Sequence, residues 1–110
     1  MSTPNLAARI GQAWRFEREG KAEAAIAEFE RILQDAPEDV DALYGMALAQ
    51  RAAGHRDTAI QNFEKALRQV EAAIAARPRG DGHHERNTPE DDRNMMLARM
   101  IRQRLAELKA

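Results

Sequence analysis

Cysteine is absent from the 110 residues. That excludes a disulfide framework, a thiolate zinc site and a cysteine nucleophile. Serine occurs only at Ser2, and no serine stands near a histidine and an acid in a recognisable pattern. Nor is there a phosphate-cradling glycine loop or a pair of histidines at helical metal spacing, so catalysis has no visible apparatus and a non-enzymatic protein is expected. No cofactor is expected either. Neither sign of charge prevails: 17 Lys and Arg against 18 Asp and Glu leave a net charge of −1. Such a chain has no global field to draw it to nucleic acid or to an anionic membrane. Long apolar runs are missing, and the stretch from Met1 to Phe16 is polar and broken by charge. It reads as neither a signal peptide nor a membrane span, and a cytoplasmic location is expected. Aromatic residues make up only 5%, so each has a place that needs explaining.

What the chain does have is helix formers. Alanine, leucine, glutamate and arginine dominate, and few stretches show the alternating, β-branched pattern of strands. The chain is long enough for one domain with a continuous core. Shifted against itself by 34 residues, it matches at Ala8 and Ala42, Gly11 and Gly45, Ala13 and Ala47, Gly20 and Gly54, Ala25 and Ala59, and Ile26 and Ile60. Phe29 and Phe63, Glu30 and Glu64, and Leu33 and Leu67 match as well. Glycines and phenylalanines are scarce here, so their coincidence marks a repeat rather than shared alanine content.

Each unit reads as a pair of helices. Thr3-Pro4 gives an N-cap followed by proline at the first helical position, and Gly20 supplies a left-handed stop. Ala25, Phe29, Ile32 and Leu33 then share one face of a second helix, which Pro37 ends and after which Asp39 caps the next. In the second unit Leu43, Met46, Ala47 and Ala49 precede the turn at Gly54, and Ile60, Phe63, Ala66 and Leu67 line the return. The spacing predicts helices over about 3–18, 21–35, 39–53, 56–77 and 89–109, with no strand: an all-α fold.

On these residues the chain resembles the tetratricopeptide repeat family. That family's pattern of large then small apolar residues, a glycine turn, and small, aromatic and small residues is met by Leu43, Ala47, Gly54, Ala59, Phe63 and Ala66. Ala13, Phe16, Gly20, Ala25, Phe29 and Pro37 meet it in the first unit. The departures are Arg9 at a large apolar position, Ile32 at a small one, and Glu71 where the closing proline would stand. The resemblance covers about Leu6 to Glu71 and implies a right-handed superhelix of antiparallel hairpins within a single domain, 1–110, with repeats at 6–39 and 40–73. The small residues at Ala13, Ala25, Ala47 and Ala59 are expected in the core, where they let paired helices approach.

Beyond the repeats, Phe63, Leu67, Val70 and Ile74 continue one stripe past anything the first repeat covers. A loop over 78–88, rich in glycine and polar residues, precedes a helix opened by Thr88-Pro89-Glu90-Asp91. That helix carries Met96, Leu97, Met100, Ile101, Leu105 and Leu108 on its apolar side and Arg93, Arg99, Arg102, Arg104 and Glu107 on the other. Three uses are open to it: capping the array along the long return helix, filling the groove, or pairing with another copy.

By resemblance, the first helix of each unit lines a concave surface that receives a partner protein. The facing residues would be Ala7, Ile10, Gly11, Trp14, Glu17 and Arg18, then Asp41, Tyr44, Gly45, Leu48, Arg51 and Ala52. Six of them form the candidate site. Ile10, Trp14, Tyr44 and Leu48 make the wall apolar and aromatic, and Arg18 and Arg51 offer rim contacts. Gly11 and Gly45 would bring bare backbone within a partner's reach. Chaperone-binding members hold a terminal carboxylate where this chain has Ile10, Trp14 and Gly45, so an apolar or amphipathic helical partner is the expectation. The alternatives are that Trp14 and Tyr44 are buried by their own neighbours, and that the chain forms a homodimer. His83, His84 and Glu85 read as a solvated loop rather than a metal site, Arg79-Gly80-Asp81 as chance, and Glu90-Asp91-Asp92 as a helix start favoured by the dipole.

Overall fold

The computed structural model describes residues 5–76 and 89–110. Among them are five helices, α1 (Leu6–Arg18), α2 (Ala22–Asp35), α3 (Val40–Ala52), α4 (Arg56–Ala75) and α5 (Pro89–Lys109), and no strand. The all-α, tetratricopeptide-like reading of the sequence holds.

Helix boundaries follow local chemistry. Asn5 caps α1, its side-chain oxygen accepting from the Ala8 amide at 2.8 Å. Asp39 caps α3 in the same way through the Ala42 amide at 2.9 Å. Both side chains accept from an amide that the helix itself leaves without a partner. Thr3 and Pro4 themselves lie outside the described residues. So do Thr88, the 78–87 loop, Arg79-Gly80-Asp81, and His83, His84 and Glu85.

The duplicate turns agree bond for bond. Gly20 and Gly54 have φ of 78° and 87°, the left-handed conformation that glycine adopts without Cβ strain. Beside them the Lys21 amide donates to the Phe16 carbonyl and the His55 amide to the Gln50 carbonyl, each at 2.8 Å. These are the bonds by which a helix end satisfies its last carbonyls. They stand 34 residues apart, so the sequence period is also a backbone period.

Ion pairs fix the helix directions. Arg9, early in α1, meets Asp35 at the end of α2 at 2.8 Å, so the two run antiparallel. Asn62 in α4 donates to Gln50 late in α3 at 2.7 Å, again an antiparallel pair. Arg102 reaches Glu71 at 2.9 Å and Lys109 reaches Glu64 at 3.1 Å, which sets α5 antiparallel to α4. Glu71 is the residue that replaces the family's closing proline. A proline there would have stopped α4; glutamate lets it run on and bind the added helix.

Two apolar clusters fill the stack. Ala13, Ala25, Phe29, Ile32, Ala42, Met46 and Ala49 form one. The other joins Leu43, Tyr44, Ala47, Ala59, Phe63, Ala66 and Val70 to Ala98, Ile101 and Leu105 of α5. Trp14 and Leu33 touch both. The small residues of the repeat are wholly buried, as expected of close helix contacts. Of the three uses open to α5, the structure has it lying along α4, where Val70 is buried and Ile74 packs against the shared cluster.

Candidate functional site

α1, α3 and α5 form one row and α2 and α4 the other. In the first row Trp14 and Tyr44 bring α1 and α3 together, with ring centroids 6.2 Å apart. Two ion pairs then join α3 to α5: Asp41 with Arg93 at 3.2 Å and Arg51 with Glu107 at 3.9 Å. The acid of the first pair opens α3 and the base of the second closes it, so α5 runs parallel to α3 and the pairs bracket its length.

Between these brackets stand the apolar side chains of Tyr44, Leu48 and Met100. Arg93, Met100 and Glu107 are seven residues apart, which is close to two helical turns, so they fall on one line along α5. Since the outer two reach α3, Met100 lies midway on that side, and it is 38% exposed. Along the facing helix, Tyr44 and Leu48 occupy the interval between Asp41 and Arg51. α1 adds Ile10 and Trp14, both half-buried.

The structure distributes the six candidate residues unevenly. Ile10, Trp14, Leu48 and Arg51 are half-buried, and Arg18 is exposed. Tyr44 is only 8% exposed. Its ring stacks edge-on against Phe63 at 5.8 Å, as Trp14 does against Phe29 at 5.6 Å. Trp14 therefore presents the accessible aromatic surface, while Tyr44 forms the floor beneath it. Gly45 departs from the expectation of exposed backbone. It is buried, and a Cβ there would run into the Phe29 ring at Cζ, Cε1 and Cε2. The residue is glycine so that the tip of the Phe29 ring can approach α3. Gly11 does stand open, with nothing within 4 Å of a notional Cβ.

Polar contacts gather at one end of the row. The Arg104 guanidinium donates to Glu107 at 3.2 Å. Its hydrogen bonds to the Tyr44 side chain and to Glu107 hold its pKa above the usual arginine value. The Arg104 Nε is buried without a hydrogen-bond partner. Glu107 is thus shared by Arg51 and Arg104.

Sequence reasoning did not anticipate the contribution of α5 to this face. Ile101 and Leu105 of the expected apolar side are buried, but Met96 and Met100 are 63% and 38% exposed, and the unexpected member of the buried stripe is Ala98. Leu97 and Leu108 flank that stripe, partly buried, as expected. The stripe begins at an alanine, which carries little weight in an apolar count but permits the closest approach. No group of three or more potential metal ligands occurs among the described residues. No helix among them is long and apolar enough to cross a membrane.

A tetratricopeptide repeat family model matches residues 41–71, which span α3 and most of α4. The match and the five-helix architecture are together consistent with a tetratricopeptide-type repeat protein. Searches of curated proteins and of solved structures return no match. A repeat of this type suggests a protein–protein interaction module, and the family is generally non-enzymatic.

Proposed function

We propose that the chain is a cytoplasmic scaffold or adaptor, without catalytic activity, that receives a peptide or amphipathic helix of another protein on the α1–α3–α5 face. The observation that carries this reading is the half-buried Trp14, set beside Ile10 and Leu48 above a tyrosine floor. Large aromatic side chains held rigidly at a surface are favoured anchors for a partner. Arg18 and Arg51 supply polar contacts at the rim. Changing Trp14 to alanine is expected to weaken partner binding more than folding, measured by titration calorimetry beside a thermal melt. Partner binding unchanged in that variant would sink the proposal.

A second reading, self-association as a homodimer, is favoured by a different observation. Among the described residues, Met95, Met96 and Met100 are the large apolar ones left exposed, and all three are on α5. Light scattering at micromolar concentration separates the two. A monomer supports the adaptor, whereas a dimer that dissociates when Met95 and Met96 become glutamine supports self-association.

A further inference from the structure

Two guanidinium groups converge on one carboxylate at the end of the proposed binding face. Arg104 donates to Glu107 at 3.2 Å, and Arg51 from the neighbouring helix stands 3.9 Å from the same oxygen. Arg18, at the corresponding end of α1, is exposed and pairs with no acid among the described residues. Arg51 and Arg104 thus share a single carboxylate here. At the other end Asp41 and Arg93 match one to one.

Geometry adds to the charge count. Arg51 and Glu107 are part-exposed, with side-chain exposures of 37% and 50%, so the contact lies where an incoming segment can reach it. The 3.9 Å separation is too long for a direct hydrogen bond, and Arg51 keeps its donors available. Arg104 is anchored by packing, since its Nε is buried. A guanidinium oriented in advance gives up less freedom when it binds a second acceptor. Leu48 lies one turn before Arg51, and Met100 one turn before Arg104. The cationic pair therefore adjoins apolar surface instead of standing alone.

We propose that Arg51 and Arg104 form a seat for a side-chain carboxylate of the bound segment, and that Glu107 fills this seat in the free protein. The inference rests on the binding face proposed above and specifies its ligand: an amphipathic helix with an apolar stripe and an aspartate or glutamate at one end. A side-chain source fits because the apolar strip runs the whole interval between the two ion pairs, so the acid is one contact at the end of a longer surface. On binding, the ligand carboxylate takes the place of Glu107, which turns to solvent.

The test begins with a displayed library of helical peptides that have a fixed apolar stripe and randomised polar positions. It is selected on the full chain, and binders retained by the Trp14→Ala variant are discarded. Enrichment of acid at one end is expected. Synthetic versions of a selected peptide, acetylated and amidated, should bind on the order of fivefold more tightly with glutamate than with glutamine at that position. Arg51→Gln should abolish the difference, and Glu107→Gln should widen it by removing the internal competitor. Both variants alter part-exposed side chains, and thermal melts check that they fold. Trp14-dependent peptides without acid preference, or a preference untouched by Arg51→Gln, would overturn the seat and leave the binding face standing. A preference lost on amidation alone would assign the seat to a chain terminus and overturn the side-chain source. If no Trp14-dependent peptide emerges, the binding face itself fails.

Discussion

Gly11 and Gly45 stand at the same place in two copies of one hairpin, 34 residues apart, and serve different ends. Around Gly45 the preceding hairpin closes in, and Phe29 occupies the volume a side chain would need. Around Gly11 nothing lies within 4 Å. The whole helices differ likewise: α1 buries only Ala13, whereas α3 buries Ala42, Leu43, Tyr44, Gly45, Met46, Ala47, Ala49 and Gln50. Sequence equivalence fixes the direction in which a residue points within its hairpin. Position in the stack decides what it meets there. α3 is flanked by α1 and α2 on one side and by α4 and α5 on the other, so its side chains are core by circumstance.

The largest expected effect breaks the stack at its other end. Removing residues 77–110 strips α5 from α4 and exposes Phe63, Val70 and Tyr44, which share one cluster with Ala98, Ile101 and Leu105. Thermal melts should show loss of the cooperative transition or a very large fall in Tm. The point substitution Ile101→Ala tests the same contact more gently and should cost about 2–5 kcal/mol, because Ile101 is fully buried. A truncated chain melting like the intact one would mean that α5 is not a cap.

Gly45→Ala comes next. The added methyl must displace the Phe29 ring or part α2 from α3, and overpacking of this kind costs about 1–3 kcal/mol. Combining it with Phe29→Leu should recover part of the loss. That rescue, read in denaturant titrations, identifies Phe29 as the obstacle. A neutral Gly45→Ala would show that the helix pair has slack and that the glycine answers to something else.

Much of this was legible in the sequence, because a 34-residue period, two glycine turns and paired phenylalanines are local signals. The hairpins and their order follow from them, whereas the docking of the fifth helix on the long fourth one was one of three uses its sequence left open. The candidate face was less legible. Tyr44 reads as a surface anchor from its register alone, but it shares a buried cluster with Ala98, Ile101 and Leu105 of α5. Similarly, Met96 and Met100 outweigh Ala98 on any hydrophobic count, yet the close approach of α5 to α4 selects the alanine face. The buried Gln50, which accepts from Asn62 at 2.7 Å, has no signature in a single chain either. These are contacts between residues far apart in sequence, and the period does not encode them.

Tyr44→Phe should have a smaller effect, about 1 kcal/mol, since the ring stays packed and only the hydroxyl, which raises the Arg104 pKa, is lost. If the tyrosine instead anchored a partner through its hydroxyl, binding would fall while stability barely moved. Calorimetry and a melt on the same variant separate the two.

Gly11→Ala should move stability least, and upward. An exposed glycine inside a helix costs about 0.5–1 kcal/mol relative to alanine, and here a methyl group meets no obstacle. A small rise in Tm is expected, against the fall from the equivalent substitution at Gly45. The opposite signs at equivalent positions are the sharpest form of the comparison, because helix propensity is the same at both and only the surroundings differ. Should Gly11→Ala also destabilise, α1 would have to be covered by something that these contacts do not include. The open face beside Trp14 would then need to be redrawn.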